Sequence, residues 1–547
     1  MMRTRSHSTA LARTFAVLLV LAGCAGGGSG APGLPQSSAP AEPLPAVDTS
    51  PVPAGNTAST LTDGWQRGPF MQIYVRAYQD SDGDGTGDLR GLIHRLDYLK
   101  DLGVSGLWLM PITQSQDNNH GYAVTNYRAI ETQFGTLEDF EELLRQAHAR
   151  GIGVIVDYVM NHSGSRHPVF LNSRAGSGNA FRDWYLWQGA KPNGWSIYDG
   201  DPWRIESTGF YFGPFSVDMP DFNLTNPTVI NWHHDNLRFW LNRGVDGFRF
   251  DAVGHLVENG PNAWDNQPQN YPIMGAVRSV LNGYAQRYMV CEAPGDPIGF
   301  AASSACGSAF AFGLQSTLIR AAQGDMAALQ NAGNHFKSAP HSLATFLSNH
   351  DSFAGARPWD QLGGNIAQLK LSASLYLLLP GVPFVYYGEE IGMGAGAGLT
   401  GDTRLRVPMS WTGDTARAGF TTGSPFRALA ANVQTQNLAA QQADALSLWS
   451  HYRALIQLRR VRGSLSHGSY EEPRISGNVL TFRRRVNGEE TVVVINTGEA
   501  VRTSIPNLLP GARYRVLFPA SAAPVEVTPE GTLPLDLSAR STLVLAP

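Results

Sequence analysis

The sequence predicts an α/β fold: a (β/α)8 TIM barrel with an inserted domain after its third strand and an antiparallel β domain at its C-terminus. Three observations lead to this prediction. Short apolar runs alternate with helical segments from residue 70 onward. One connection is far too long for an ordinary loop. Near residue 465 the pattern changes to alternating strands joined by tight turns.

The barrel prediction rests on eight candidate strands, the number that closes a parallel sheet on itself. These strands are 71–78, 105–111, 153–159, 245–253, 288–294, 309–314, 342–351 and 381–390. Helical spacing of apolar residues in segments such as 89–103 and 137–151 places helices between them. Strands that alternate with helices imply a parallel sheet. We therefore assign residues 65–162 and 226–464 to the barrel.

The long connection covers residues 163–225 and is predicted to be a small inserted domain. Its aromatic side chains could stack on a ligand, although packing in the domain's own core is the commoner role for any one of them. They are Trp184, Trp187, Trp195, Trp203, Phe210, Tyr211 and Phe212.

A last helix is predicted over residues 446–462, and a separate antiparallel β domain over 465–547. Two alternating strands flank Asn487-Gly488, a pair of residues that is typical of a tight hairpin turn.

The first 23 residues have the pattern of a secretory signal, with an arginine-rich start and an apolar stretch too short to span a bilayer. The tetrapeptide LAGC resembles a bacterial lipobox, which implies lipidation of Cys24; a plain signal peptide is the alternative. Residues 24–64 are small, polar and proline-rich, as expected of a flexible linker. We expect an exported protein, lipid-anchored to the bacterial cell envelope on its periplasmic or cell-surface face.

Composition limits the possible partners. The formal net charge is −4 and charged residues make up 16% of the chain, which argues against a nucleic-acid partner. We expect a monomer. Besides Cys24 the chain has only Cys291 and Cys306, which could pair in an oxidising compartment or remain free thiols.

Candidate catalytic residues lie at the carboxyl ends of the predicted strands, where barrels of this type carry their function. In VDGFRFDAV, side chains alternate, so Arg249 and Asp251 face the barrel mouth and the guanidinium is expected to lower the pKa of Asp251. Two further strand ends supply Glu292 and Asp351. Three carboxylates at one rim raise one another's pKa and are typical of a functional site.

Retaining glycoside hydrolysis requires one ionised carboxylate as nucleophile and one protonated carboxyl as acid, roughly 5 Å apart. Asp251 fits the nucleophile. Glu292 fits the acid, because its apolar neighbours are expected to raise its pKa. Asp351 can hold sugar hydroxyls and stabilise positive charge in the transition state.

These segments resemble the signature regions of glycoside hydrolase family 13, the α-amylase family. The matching segments, in the family's order, are DYVMNH, GFRFDAVGH, the strand that carries Glu292, and FLSNHD, accompanied by NHGY and RVPMSW. MPDFN is similar to the form seen in members intermediate between oligo-1,6-glucosidases and neopullulanases. The resemblance implies that the inserted and C-terminal domains are the family's domains B and C. It also implies substrate binding by His120, Tyr122, Asp157, His162, Arg249, His255, Asn349 and His350.

The first functional interpretation is an α-amylase that cleaves internal α-1,4-glucosidic bonds of starch, glycogen or maltooligosaccharides. An α-glucosidase or oligo-1,6-glucosidase, a neopullulanase-like enzyme and a glucanotransferase are alternatives, and a non-catalytic sugar-binding member is an alternative from another class. Many α-amylases have Lys where this chain has Gly254, and many members have Trp where it has Pro294, so the leaving-group side is left open. Glu389 and Glu390 are reserve candidates for the acid.

The segment DSDGDGTGDLRG predicts a calcium site made by Asp80, Asp82, Asp84, the carbonyl of Thr86 and Asp88. An EF-hand is excluded because its twelfth position is Gly91 and not Glu. A solvated acidic turn is the alternative. A similar loop after the first barrel strand in relatives of the oligo-1,6-glucosidase kind implies a structural role for the calcium. By the same resemblance, Asn161 is expected to ligate a second calcium.

Overall fold

The computed structural model describes residues 43–520 and 523–547. The predicted signal peptide of residues 1–23 and the lipidation site Cys24 lie outside the described residues. In the described part of the chain, no helix is long and apolar enough to cross a membrane.

The strands follow one another along the chain as β1 Phe70–Ile73, β2 Gly106–Leu109, β3 Thr113–Ser115, β4 Val124–Ile130, β5 Gly153–Tyr158, β6 Trp187–Gln188, β7 Trp203–Glu206, β8 Gly209–Phe212, β9 Gly247–Phe250, β10 Tyr288–Cys291, β11 Ala344–Thr345, β12 Val382–Tyr386, β13 Glu471–Ser476, β14 Val479–Val486, β15 Glu489–Asn496, β16 Val501–Ile505, β17 Arg513–Phe518, β18 Val525–Glu526, β19 Leu533–Leu537 and β20 Ser541–Ala546.

The α-helices are α1 Val75–Tyr78, α2 Leu89–His94, α3 Leu96–Leu102, α4 Leu137–His148, α5 Pro168–Arg174, α6 Pro227–Leu241, α7 Asn270–Asn282, α8 Pro297–Phe300, α9 Leu314–Ala322, α10 Met326–His335, α11 Pro358–Gln361, α12 Ile366–Leu378, α13 Leu438–Gln442, α14 Leu448–Val461 and α15 Gly463–His467.

A parallel sheet forms the barrel and confirms the predicted fold class. Seven strands are ordered β10-β9-β5-β2-β1-β12-β11. Between its two edges, Ala309 pairs with Cys291 and Phe310 pairs with Ala344, both in parallel. The predicted sixth strand, 309–314, is therefore reduced to two bridging residues that complete the ring.

The first predicted strand, 71–78, is wrong in its second half. β1 ends at Ile73, and Val75–Tyr78 form the short helix α1. All four residues of α1 are buried. The valine and tyrosine that suggested a strand are thus explained by burial rather than by extended backbone.

The predicted helices are present with small changes. The segment 89–103 divides at Arg95 into α2 and α3. The segment 137–151 becomes α4, which begins at a capping box between Thr136 and Asp139. The last barrel helix, α14, starts after Ser447, whose side chain accepts the N–H of Ser450.

Within residues 163–225 lies a three-stranded antiparallel sheet, ordered β6-β8-β7. Its aromatic side chains form mostly a core: Trp184, Trp203, Tyr211 and Phe212 are all buried. Toward the C-terminus, β13-β14-β15-β20-β17-β18 form an antiparallel sheet and β16-β19 a second one. The predicted hairpin is the β14-β15 turn, where Asn487 and Gly488 both have positive φ.

Part of the predicted flexible linker is held against the barrel. Trp232 donates its indole N–H to the carbonyl of Asp48 at 3.0 Å, and the N–H of Gly55 binds Asn242 Oδ1 at 2.8 Å. These hydrogen bonds fix residues 48–57 on α6 and its C-terminal end, so the flexible description does not apply to this segment.

The two cysteines beyond Cys24 form a disulfide. Cys291, the last residue of β10, is bonded to Cys306 in the following loop. The bond thus ties the end of β10, immediately before Glu292, to the segment after α8.

Candidate active site

Arg249 lies at the centre of the candidate site. It alternates along β9 with Phe248 and Phe250, which are fully buried on the other face, as predicted. Its Nη1 atom lies 2.8 Å from Asp157 Oδ1 and 2.7 Å from Asp251 Oδ1, and its Nη2 atom lies 2.7 Å from Glu292 Oε2. One guanidinium therefore binds three carboxylates from β5 and from the ends of β9 and β10.

Burial dominates the electrostatics of these acids. It raises the pKa of Asp251 to about 6 and that of Glu292 to about 7, although Arg249 acts in the opposite direction on both. Arg249 lowers the pKa of Asp251 as expected, but desolvation outweighs this effect, so the net pKa lies above the usual value of an aspartate. That Asp251 ionises at lower pH than Glu292 stays a prediction.

Two side chains, Arg406 and His350, contact the carboxylate of Asp351. Arg406 Nη2 lies 2.7 Å from its Oδ1 atom, and His350 Nε2 lies 3.0 Å from Oδ2. Burial still raises the pKa of Asp351 to about 7. Arg406 also pairs with Asp402 at 3.2 Å.

A hydrogen-bonded layer supports the three acids. Tyr122 Oη donates to Asp157 Oδ2 at 2.9 Å and lies 2.8 Å from His350 Nε2, while Gln72 Nε2 lies 2.7 Å from the other ring nitrogen of His350. Trp108 also donates to Asp157, at 3.1 Å. These contacts fix the orientation of Asp157 and His350.

A cavity of about 690 Å³ opens above the acids. Asp251, Glu292 and Asp351 line it, together with four predicted substrate-binding residues, His120, Tyr122, His162 and His255. The other four do not line it, and all are buried: Asp157, Arg249, Asn349 and His350. Their contacts indicate that they position the acids, and direct substrate binding by these four residues stays a prediction.

Sequence reasoning missed several residues of this site. Gln72 and Trp108 gave no signal, because an amide and an indole within apolar strands look like ordinary core residues. Arg406 and Asp402 line the cavity. The segment RVPMSW contains Arg406, so the motif could have assigned a partner to Asp351.

Glu389 and Glu390 are not part of the site, which ends their use as reserve acids. Neither lines the cavity. Glu389 accepts hydrogen bonds from Tyr376 at 2.8 Å and Tyr452 at 2.9 Å, and Glu390 accepts one from Tyr98 at 2.6 Å. Both are buried structural groups.

The acidic loop brings three carboxylates together. Asp80, Asp82 and Asp88 each place an oxygen within 4.8 Å of the others. This set of converging hard oxygens fits calcium. Asp84 is not in the group, and its Oδ1 atom accepts the N–H of Thr86 at 2.6 Å. Ligation by Asp84 and by the carbonyl of Thr86 therefore stays a prediction.

Asn161 lies beside a buried acid. Phe222 donates its N–H to the carbonyl of Asn161 at 2.9 Å, which places Asp221 next to it. Neither carboxylate oxygen of Asp221 has a hydrogen-bond partner within residues 43–520 and 523–547. Burial and the nearby charge of Glu258 raise the pKa of Asp221. An amide beside an unpartnered carboxylate is a donor set that fits a cation.

A parallel barrel that presents three acids at the carboxyl ends of its strands, beneath a large cavity, is the architecture of a glycoside-cleaving enzyme. The family model for the alpha amylase catalytic domain matches residues 72–468. The chain belongs to the α-amylase family, glycoside hydrolase family 13, whose enzymes act on O-glycosyl bonds.

Individual relatives differ in their named activities. The chain is 34% identical over 449 residues to Alpha-amylase 3 of Dictyoglomus thermophilum, covering 79% of this chain and 85% of that protein. It is 30% identical over 521 residues to the oligo-1,6-glucosidase of Parageobacillus thermoglucosidasius, covering 80% and 90%. The crystal structure of the α-amylase from H. orenii superimposes with a TM-score of 0.76 at 32% identity, covering 88% of this chain and 99% of that one.

Proposed function

We propose that this protein hydrolyses α-glucosidic bonds with retention of configuration, with Asp251 as nucleophile and Glu292 as acid and base. The observation that carries this proposal is the shared guanidinium of Arg249. Because both carboxyl groups bind the same side chain, they stay close together. Retaining enzymes need a separation of roughly 5 Å, whereas inverting enzymes need more room for a water molecule.

In the first step, ionised Asp251 attacks the anomeric carbon while protonated Glu292 gives its proton to the leaving oxygen. A covalent glucosyl ester forms on Asp251 and the glycosidic bond breaks. In the second step, Glu292, now ionised, takes a proton from water, which attacks the ester and releases the sugar. Asp351, held by Arg406 and His350, binds hydroxyls of the reacting sugar and stabilises its positive charge.

The substrate class that we propose is α-glucans and maltooligosaccharides, with internal cleavage of α-1,4 bonds as the first candidate. Similarity to proteins named α-amylase supports it. The second candidate is hydrolysis at chain ends, hydrolysis of α-1,6 bonds, or glucosyl transfer. Similarity to an oligo-1,6-glucosidase supports it.

The test is the chain-length profile of products over time from soluble starch, pullulan and maltotriose. Early release of mixed oligosaccharides from starch supports internal cleavage. Release of glucose alone, or the formation of longer oligosaccharides, supports the second candidate. The Asp251→Asn variant should lose at least about a thousandfold in kcat, since the attacking carboxylate is gone. Full activity in this variant would contradict the assignment of the nucleophile.

We also propose that the acidic loop holds a structural calcium ion. Asp80, Asp82 and Asp88 would be its ligands, joined by the predicted carbonyl of Thr86, and Asn161 with Asp221 would hold a second ion. Bound calcium would neutralise carboxylates that otherwise repel one another. Because the loop lies between α1 and α2, the ion would stabilise the fold rather than take part in bond cleavage.

We also propose that the protein is exported, that a lipid on Cys24 anchors it, and that it is a monomer. The sequence LAGC and the apolar stretch before it support the anchor. Growth with labelled palmitate should label the protein, whereas the Cys24→Ser variant should remain unlabelled. Label in both proteins would refute the anchor site, and size-exclusion chromatography with light scattering checks the monomer.

A further inference from the structure

The barrel is closed unevenly on the two sides of β10, the strand that precedes Glu292. On one side, all four residues of β10 pair with β9. On the other side, among the residues that the structure describes, the pairing consists of Cys291 with Ala309. By contrast β9, which precedes Asp251, is paired over four residues with both of its neighbours. The proposed acid therefore follows a less firmly held strand than the proposed nucleophile does.

The disulfide crosses the barrel wall at this weakly paired place. Cys291 is the last residue of β10, and its partner Cys306 lies three residues before Ala309. Beside the disulfide, the N–H of Cys291 binds the carbonyl of Ser308 at 3.1 Å, and the N–H of Phe310 binds the carbonyl of Cys291 at 3.0 Å. The covalent bond thus reinforces the barrel where its strand pairing is shortest.

The far end of the disulfide is itself held in place. The N–H of Cys306 binds the carbonyl of Phe300, the last residue of α8, at 3.0 Å. Phe300 is fully buried and stacks on Tyr271 of α7 with ring centroids 4.5 Å apart. Tyr271 Oη also donates to Asp296 Oδ2 at 2.7 Å, and Asp296 caps α8. Cys306 therefore gives Cys291 a fixed point of attachment.

The loop that the disulfide closes forms part of the cavity. Pro294 and Gly295, which follow Glu292 in this loop, line the cavity. The carboxylate of Glu292 contacts Arg249 Nη2 at 2.7 Å and the N–H of Ala252 at 3.1 Å, and both groups belong to β9 or to the turn after it. On the side of the disulfide, the backbone at the end of β10 sets where the side chain begins. A displacement of that backbone would shift the carboxyl group.

We propose that the disulfide between Cys291 and Cys306 positions Glu292 for proton transfer, so that both cysteines are positioning residues of the active site. A misplacement of about 1 Å can cost roughly a hundredfold in rate, which makes proton donation sensitive to the end of β10. The inference rests on the proposed hydrolysis with Glu292 as acid. It also agrees with the proposed export, because disulfides form and persist in oxidising compartments.

The test compares two substrates with different leaving groups. Maltotriose releases a sugar whose oxygen needs a proton, whereas α-glucosyl fluoride releases fluoride, which departs without one. For both substrates kcat/KM covers the steps up to formation of the glucosyl ester, so the fluoride does not depend on the acid. A disulfide also stabilises a fold through the unfolded chain. A loss of folded enzyme lowers both values equally and cancels in their ratio.

Cys306→Ser removes the bond without a change at Cys291 or at the acid. The ratio of kcat/KM for maltotriose to kcat/KM for the fluoride should fall about tenfold. This is less than the roughly hundredfold cost of a 1 Å misplacement, because the backbone hydrogen bonds of Cys291 remain. The matched control is Ser303→Ala, a change at an exposed residue of the same loop that leaves the bond intact. Its ratio should equal that of the parent.

The parent chain can also be compared with itself, which keeps the test informative if Cys306→Ser does not fold. Unfolding in urea with dithiothreitol breaks the disulfide into two thiols, while the dithiol is oxidised to a cyclic disulfide. The protein is then refolded with the reductant present, and oxidised glutathione re-forms the bond. Mass spectrometry follows the two states. The reduced form should show the same fall in the ratio, and oxidation should restore the parental value.

Each outcome bears on one of the two ideas. If the parent cleaves both substrates and the ratio without the bond stays at the parental value, the positioning role is refuted and the hydrolase assignment stands. An equal fall in Ser303→Ala would also refute this role, because the loop and not the bond would then be responsible. If the parent cleaves neither substrate, the proposed function fails, and the positioning role fails with it.

Discussion

The dependence of activity on pH gives a direct test of the roles of Asp251 and Glu292. Burial raises the pKa of Asp251 to about 6, and below this pH the nucleophile becomes protonated and inactive. Burial also raises the pKa of Glu292 to about 7, and above this pH the acid loses its proton. We therefore expect a narrow bell-shaped profile of kcat/KM with its maximum between pH 6 and 7.

Substitution of Glu292 separates the two limbs of this profile. Glu292→Gln should lower kcat/KM for maltotriose by a factor of about 100 to 10,000, the usual contribution of a general acid. Fluoride departs without protonation, so the loss on α-glucosyl fluoride should be much smaller. The alkaline limb should disappear in this variant, while the acidic limb near pH 6 remains.

The assay is initial-rate kinetics from pH 4.5 to 9 on both substrates at constant ionic strength, with thermal melting at each pH to exclude unfolding. An alkaline limb that persists in Glu292→Gln would show that another group supplies the proton. Equal losses on maltotriose and α-glucosyl fluoride would also refute the reasoning, because fluoride needs no acid.

Three further predictions concern stability. Burial raises the pKa of Glu389 from 4.5 to about 7, so the free energy of unfolding of the parent should fall by about 3 kcal/mol as the pH rises from 4.5 through 7. Urea unfolding at pH 5 and pH 8 should show a smaller fall in Glu389→Gln, and an identical fall would contradict this. Arg249→Leu should lower the free energy of unfolding by about 3–5 kcal/mol at pH 8, because it leaves buried carboxylates without a cation. The loss should be smaller at pH 5, and a loss that does not depend on pH would argue against this cause. Chelator should lower the melting temperature of the parent by a few degrees and that of Asp82→Asn by less, since bound calcium stabilises by mass action; equal shifts in scanning calorimetry would place the ion elsewhere.

The barrel could be predicted from sequence because its strands are short apolar runs and its helices carry apolar residues at regular spacing. The acids could be predicted because they directly follow those strands. The packing of Asp157 could not be predicted, because the three hydrogen bonds that its carboxylate accepts come from Arg249, Tyr122 and Trp108, on three other segments. The short helix α1 was missed because buried tyrosine and valine look alike in a strand and in a turn of helix.

The direction of the pKa shift at Asp251 shows a similar limit. A neighbouring arginine is visible in the sequence, but the depth of burial is not, and burial has the larger effect. The contact between Trp264 and Tyr198 was also beyond sequence reasoning. Trp264 lies in a loop without strand or helix pattern, and the contact joins residues far apart in the chain.

Gly254 and Gly295 fit closely against the loop of residues 259–269: a Cβ atom at Gly254 would lie 2.7 Å from Asp265 Oδ1, and one at Gly295 would collide with the side-chain amide of Asn266. This fit has a consequence for how the enzyme could change over evolution or by design. A side chain at either glycine collides with the loop, while loss of the loop alone would leave an open gap above both glycines. The three features therefore depend on one another, and single substitutions toward the Lys found in many α-amylases pass through an unfavourable intermediate. A chimera that transfers the loop to another barrel needs both glycines as well.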